Sequence, residues 1–193
     1  MNASLLWLHD LDAALAEARR TRRPVWLMFE REGCAGCAKM EANTYRDPQV
    51  RAELTEAFVL LRQNIRRDRL VRSRYAAVWT PSFYVLDARG TAHHVELGYL
   101  PPEDLRLVLR LGRAKELVPR GRYTEAIALL EDALTRFPTH PMAAQVMLWW
   151  AMARYLTSGD GRQLREDLAA LRRRYPDSAE ARRWPWNDLP TTA

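Results

Sequence analysis

Residues 25–45 read VWLMFEREGCAGCAKMEANTY, and this stretch decides how the first half of the chain is read. Val25 to Phe29 is a continuous apolar run bounded by Pro24 and by charge, the pattern of a strand buried at the centre of a sheet. Directly after it come Cys34 and Cys37, three apart and the only two cysteines in 193 residues. Such a pair is a redox couple, half of a metal site, or two small core residues.

Length bounds the search. A chain of 193 residues holds one full core and a smaller second one, since domains cluster near ~100 to 150 residues. No apolar run approaches the ~20 residues of a membrane span, and the start, MNASLLWLHDLDAALAEARR, carries acids where an export signal would not. We therefore expect a soluble, cytoplasmic protein without a membrane partner. In a reducing compartment a lone cysteine pair points to catalysis, redox sensing or metal binding rather than to a structural staple. The formal charge of +6 raises nucleic acid as a partner. Against it, the arginines are scattered, mostly near Asp or Glu, and no nucleic-acid motif accompanies them, so nucleic acid is not expected.

Periodicity divides the chain. LLWL (5–8) suggests a short strand, Asp10 caps LDAALAEARR, and AKMEANTY (38–45) is helical in composition. DPQVRAELTEA restarts a helix with Asp47 as cap and Pro48 at its first position, followed by a strand FVLLRQNI (58–65). RDRLVRSRYA (67–76) reads as a short helix, and PSFYVLD, the turn DARG and TAHHVELG form an antiparallel hairpin. From Glu103 onward only helical periods remain, broken by PRG, PTHP, TSGDG and YPDS. These read as paired helices with short connectors, and ALTRFP and LRRRYP hint at an internal repeat. The expected organisation is an α/β domain over 1–112 followed by an all-α module over 113–193.

Chemistry concentrates at the cysteines. Cys34 leaves a buried strand and opens a helix, where unpaired N–H groups and the helix dipole lower a thiol's pKa. Cys37 lies one turn on, on the same face, and Ala35 and Gly36 add neither bulk nor charge. A second element, WTPSFYVLD, puts Pro81 at the start of a strand. A proline there can hold a cis bond that leaves the preceding backbone free to pair with an extended substrate. Zinc requires four ligands, and beyond the pair the chain offers only His9, His93, His94 and His140. Because His93 and His94 point to opposite faces of a strand, no metal site is expected. Met40, Tyr45 and Trp26 are expected in the core. Trp79 either lines a substrate groove or packs beneath its loop. Adjacent Trp149 and Trp150 cannot share one helix face, so one is expected in the core.

Together, VWLMFEREGCAGC, VWTPSFYVLDARG and ELGYL resemble the thioredoxin superfamily over about residues 5–112. CAGCAKMEANTYRDPQV with AFVLL looks most like the branch that includes the C-terminal domain of bacterial thiol:disulfide interchange proteins. The resemblance implies a thioredoxin fold, a central mixed sheet flanked by helices. It implies Cys34 as the attacking and Cys37 as the resolving cysteine, with Pro81 as the cis-proline, Thr80 pairing with substrate and Trp79 beside them. It implies no cofactor, with protein or peptide disulfides as substrates and an upstream thiol as reductant. Gly33 replaces the usual Trp, Ala-Gly replaces Gly-Pro, and Met28 stands where thioredoxins bury an acid. Glu30, two residues on, sits towards the mouth of the site.

GRYTEAIALLEDALTRFP (121–138) resembles a tetratricopeptide repeat, which implies a protein partner on the helical module. The expected function is a thiol–disulfide oxidoreductase with a partner-binding module. The alternative, implied by thioredoxin–tetratricopeptide fusions that hold clients, is a redox-regulated scaffold that binds without turnover. The tail RRWPWNDLPTTA, with Trp184 and Trp186, is expected to cap the last helices, with disorder after Leu189.

Overall fold

The computed structural model describes residues 5–183, and the expectation for the tail from Trp184 falls outside them. The chain divides into two compact units, Met1–Glu116 and Leu117–Ala193.

The first unit runs β1 (Trp7–Leu8), α1 (Leu11–Thr21), β2 (Val25–Glu30), α2 (Ala35–Ala42), α3 (Pro48–Ala57), β3 (Val59–Asn64), α4 (Arg69–Arg74), β4 (Ser82–Leu86), β5 (Ala92–Leu97) and α5 (Pro102–Leu117). Its five strands lie in the order β1-β3-β2-β4-β5. The first three are mutually parallel, and β4 and β5 join antiparallel. This is the mixed sheet of the thioredoxin fold. The apolar run Val25 to Phe29 forms β2, the central strand, and these residues are fully buried because both faces of the sheet are covered.

Alternation along β2 sorts the two cores. Val25, Leu27 and Phe29 join Leu11, Leu15 and Ala18 of α1 on one face. Trp26 and Met28 point the other way: Trp26 stacks on Phe83 at 5.1 Å and meets Phe58 edge-on at 6.1 Å. Local signals place the helices. Asp10 accepts the Ala13 N–H at 2.7 Å to start α1, and Asp47 accepts the N–H groups of Gln49 and Val50 at 2.9 Å to start α3. The helix expected through Tyr45 stops at Ala42 and tightens into a 3₁₀ turn over Thr44–Arg46. Asn43 leaves helical geometry there, and Thr44 turns its hydroxyl inward to donate to the Leu100 carbonyl at 2.6 Å.

The division expected after residue 112 falls inside α5. That helix crosses the sheet so closely that a Cβ on Gly112 would lie 2.6 Å from Val85 Cγ2. Beyond it Ala114 is fully buried, and Lys115 Nζ lies 3.0 Å from His94 Nδ1. Lys115 thus ties the last turn of α5 to β5 of the first unit.

Among its described residues the second unit has helices alone as regular elements: α6 (Tyr123–Arg136), α7 (Ala143–Ser158), α8 (Gly161–Arg174) and the short α9 (Ala179–Arg182). Helix α7 packs against both α6 and α8, and their short connections make neighbours run antiparallel. Gly159, left-handed at φ 70°, ends α7, and Asp160 immediately caps α8 by accepting the Arg162 N–H at 2.8 Å. Met147 and Leu171 centre the core. Neither adjacent tryptophan is fully buried. Trp150 packs on this core and donates Nε1–H to Glu131 at 3.0 Å, and Trp149 is also half-buried.

Candidate active site

After β2 the chain turns through Gly33, whose φ of +69° is the left-handed conformation that favours glycine. That turn delivers Cys34 as the residue capping α2. Its Sγ accepts the Cys37 N–H at 3.1 Å, so the helix terminus spends one of its free donors on this sulfur. Cys34 and Cys37 are disulfide-bonded, with Cα atoms 5.3 Å apart. The two do not differ in exposure, at 7% and 6%. Position on the helix, not accessibility, distinguishes them: only Cys34 receives a backbone N–H that would stabilise a thiolate.

Gly36, between the cysteines, is in contact with the loop before β4. A Cβ there would lie 2.8 Å from Pro81 Cδ, an approach no side chain tolerates without displacement. The Thr80–Pro81 bond is cis, and the Pro81 carbonyl accepts the Gly98 N–H at 2.8 Å. So the fold brings together Cys34, Cys37 and Pro81, residues far apart in sequence. Trp79, 62% exposed, stands clear of the core with half-buried Thr80 beside it. Both line a groove of about 380 Å³.

The cysteines lie in a cleft of about 520 Å³ that Glu30, Glu32, Glu41 and Asn64 also line. Behind it, where thioredoxins bury an acid, Met28 accepts the Tyr45 hydroxyl at 3.3 Å. Burial raises the Tyr45 phenol above its ordinary range, so neither partner exchanges a proton near neutrality. The carboxylates of the cleft are held from outside instead. Arg62 of β3, stacked over the Trp7 ring at 4.4 Å, pairs with Glu41 and lies 3.6 Å from Glu30. Glu32 is held at about 2 by its own backbone N–H, the Asn64 amide and the Arg67 guanidinium.

Sequence reading missed Glu41, Arg62 and the Gly36–Pro81 contact. Glu41 was within reach, four residues after Cys37 and therefore on its helical face. Arg62 was not, because it is placed by the β2–β3 register that sets it opposite Met28. No group of three or more His, Cys, Asp or Glu among the described residues converges as metal ligands would.

Residues 11–113, just over half of the chain, match the family model described as thioredoxin-like domain. The chain belongs to that family. It is 34% identical over 85 residues to the thiol:disulfide interchange protein DsbD of Ralstonia nicotianae, covering 42% of this chain and 14% of that protein. To DsbD of Vibrio vulnificus it is 36% identical over 61 residues, 32% of this chain and 10% of that one. The chain thus spans a seventh or less of the length of these relatives. The solution structure of a thioredoxin from Thermus thermophilus superposes with a TM-score of 0.50 at 26% identity, covering 56% of this chain and 86% of that one.

Proposed function

We propose that this protein is a thiol–disulfide oxidoreductase that reduces protein or peptide disulfides through Cys34 and Cys37 and is recharged by an upstream thiol reductant. The observation that carries this reading is the Cys34 sulfur at the start of α2, bonded to Cys37 and hydrogen-bonded to its N–H, with Pro81 against the glycine between them. In the reduced protein, Cys34 thiolate attacks one sulfur of a client disulfide. A Cys34–client bond forms as the client S–S bond breaks, and the leaving thiolate takes a proton from solvent. Cys37, once deprotonated, attacks Cys34 Sγ, forming the disulfide seen here and releasing the second client thiol. The client gains two electrons and two protons, and the pair loses the same. Trp79, Thr80 and Pro81 are assigned to hold the client segment, and a reducing cytoplasm is the setting in which the cycle would turn.

The reading is tested by adding the protein in substoichiometric amounts to dithiothreitol and a disulfide-bonded protein substrate. Reduction faster than with dithiothreitol alone, abolished by Cys34→Ser, is expected. No acceleration would refute turnover.

One observation favours a second reading. With Met28 and Tyr45 where the buried acid would be, the site lacks the proton acceptor that speeds resolution. The pair would then act as a redox switch on a scaffold whose helical unit, read as tetratricopeptide-like, binds clients. Under that reading a Cys34→Ser, Cys37→Ser double variant retains the clients captured from a reducing extract, and removal of the helical unit loses them. Under the first, Cys37→Ser holds clients covalently, and reductant releases them.

A further inference from the structure

Two large apolar side chains stand outside the core in the loop that leads into Pro81: Trp79 is 62% exposed and Val78 83%. Trp79 and Val78 line a groove with Arg31, Arg66 and Arg72. Arg66 and Arg72 continue into a neighbouring depression with Arg69. Arg31 also borders the cysteine cleft, so one continuous path leads from the sulfurs into this basic and aromatic face.

Its charge is not neutralised within the unit. Residues 65–80 hold five arginines and one acid, Asp68. Asp68 accepts the Asn64 N–H at 2.5 Å, Arg67 takes Glu32, and Arg74 donates to the Arg89 carbonyl at 3.2 Å. Among the described residues no carboxylate pairs with Arg66, Arg69 or Arg72. By contrast Arg62, Arg106, Arg110 and Arg154 all have carboxylate partners. Three exposed guanidinium groups kept close together repel one another and find relief in an anionic partner.

We infer that this face selects clients, docking an acidic polypeptide segment with an apolar anchor beside the client's disulfide. The inference rests on the oxidoreductase reading for its position and extends it to substrate class. A polypeptide fits better than a nucleic acid because the charge changes sign along the path. Past Arg31 the cleft is lined by Glu30, Glu32 and Glu41, three carboxylates that share two guanidinium groups, those of Arg62 and Arg67. A continuous phosphate backbone crossing both halves would meet carboxylates in one. A peptide can place its acids on one side of the disulfide only, with an apolar side chain against the Trp79 ring.

The test uses the full oxidised chain and two labelled peptides with serines for cysteines, one flanked by glutamates with a single leucine, the other with lysines for the glutamates. At low salt the glutamate peptide is expected to bind about tenfold more tightly, a preference lost in high salt, where exposed charges are screened. It is also expected to disappear in an Arg66→Glu, Arg69→Glu, Arg72→Glu variant whose thermal unfolding is unchanged. Trp79→Ala is expected to weaken the peptide by a similar factor. After reduction of the Cys34–Cys37 pair, the uncharged probe hydroxyethyl disulfide is expected to react with wild type and the triple variant at equal rates. Equal affinity for the two peptides overturns the inference, as does a single-stranded oligonucleotide of matched charge binding as tightly as the glutamate peptide. Failure of wild type to react with hydroxyethyl disulfide, with the peptide preference intact, refutes the oxidoreductase reading and leaves the docking face standing.

Discussion

At the scale of single residues, the site depends on two atoms that are easily overlooked, a backbone N–H and an absent Cβ. The Cys37 N–H on Cys34 Sγ singles out one of two equally buried sulfurs. The missing side chain of Gly36 lets the Pro81 ring lie against the helix. Gly36→Ala separates these effects from helix stability. Alanine favours a helix over glycine by about 1 kcal/mol, whereas its Cβ would sit 2.8 Å from a ring carbon that cannot swing aside. We expect the variant's melting temperature to move by only a few degrees while its reaction with hydroxyethyl disulfide slows about tenfold, equivalent to ~1.4 kcal/mol. Melting curves and stopped-flow rates check this, and an unchanged rate would show that the Pro81 contact does not shape the site.

Among elements, β5 and α5 carry a titratable group that links pH to the first unit's stability. His94 is 6% exposed under α5. Burial lowers its pKa, Lys115 adds to the lowering, and Glu96 opposes it. Lys115 Nζ lies 3.0 Å from Nδ1, and Glu96 Oε1 lies 3.0 Å from Nε2. The sign follows from linkage. Below ~6.5, the ordinary histidine value, the unfolded chain binds a proton that the folded chain refuses. Stability should therefore fall as pH drops through that value towards the depressed folded one. Urea unfolding between neutral pH and pH ~5 is expected to show this loss, reduced in His94→Gln; an identical slope in the variant would exclude His94 as its source. Elements whose cause is local were legible in the sequence: the run of β2, the caps Asp10 and Asp47, and the turn between β4 and β5. Those placed by distant partners were not. The break after Ala42 depends on Thr44 reaching the Leu100 carbonyl, and Arg62 is set beside Glu41 by strand register.

For the whole molecule, two compact units share one chain, and the end of α5 marks where the first is complete. A chain ending at residue 112 lacks Ala114, fully buried, and Lys115, the neighbour of His94. One ending at Leu117 keeps the whole helix. The longer form is expected to melt cooperatively and at a higher temperature than the shorter, as circular dichroism would show. Equal melting would mean that the last turn of α5 adds nothing. Charge distribution belongs to this scale too. The arginines of 65–80 already stand close together in the sequence, but only the fold shows that Arg62, Arg106, Arg110 and Arg154 are paired with carboxylates while Arg66, Arg69 and Arg72 border the groove of Trp79 and its neighbouring depression.

The central claim is that Cys34 attacks and Cys37 resolves. Reacting reduced Cys37→Ser and Cys34→Ser variants with hydroxyethyl disulfide, and following the mixed disulfide by intact mass and peptide mapping, tests it most directly. An adduct on Cys34 that forms at least ~10-fold faster than the adduct on Cys37 is the predicted result, since only the first thiolate is stabilised by a backbone N–H at a helix start. Equal rates, or faster reaction at Cys37, would contradict it.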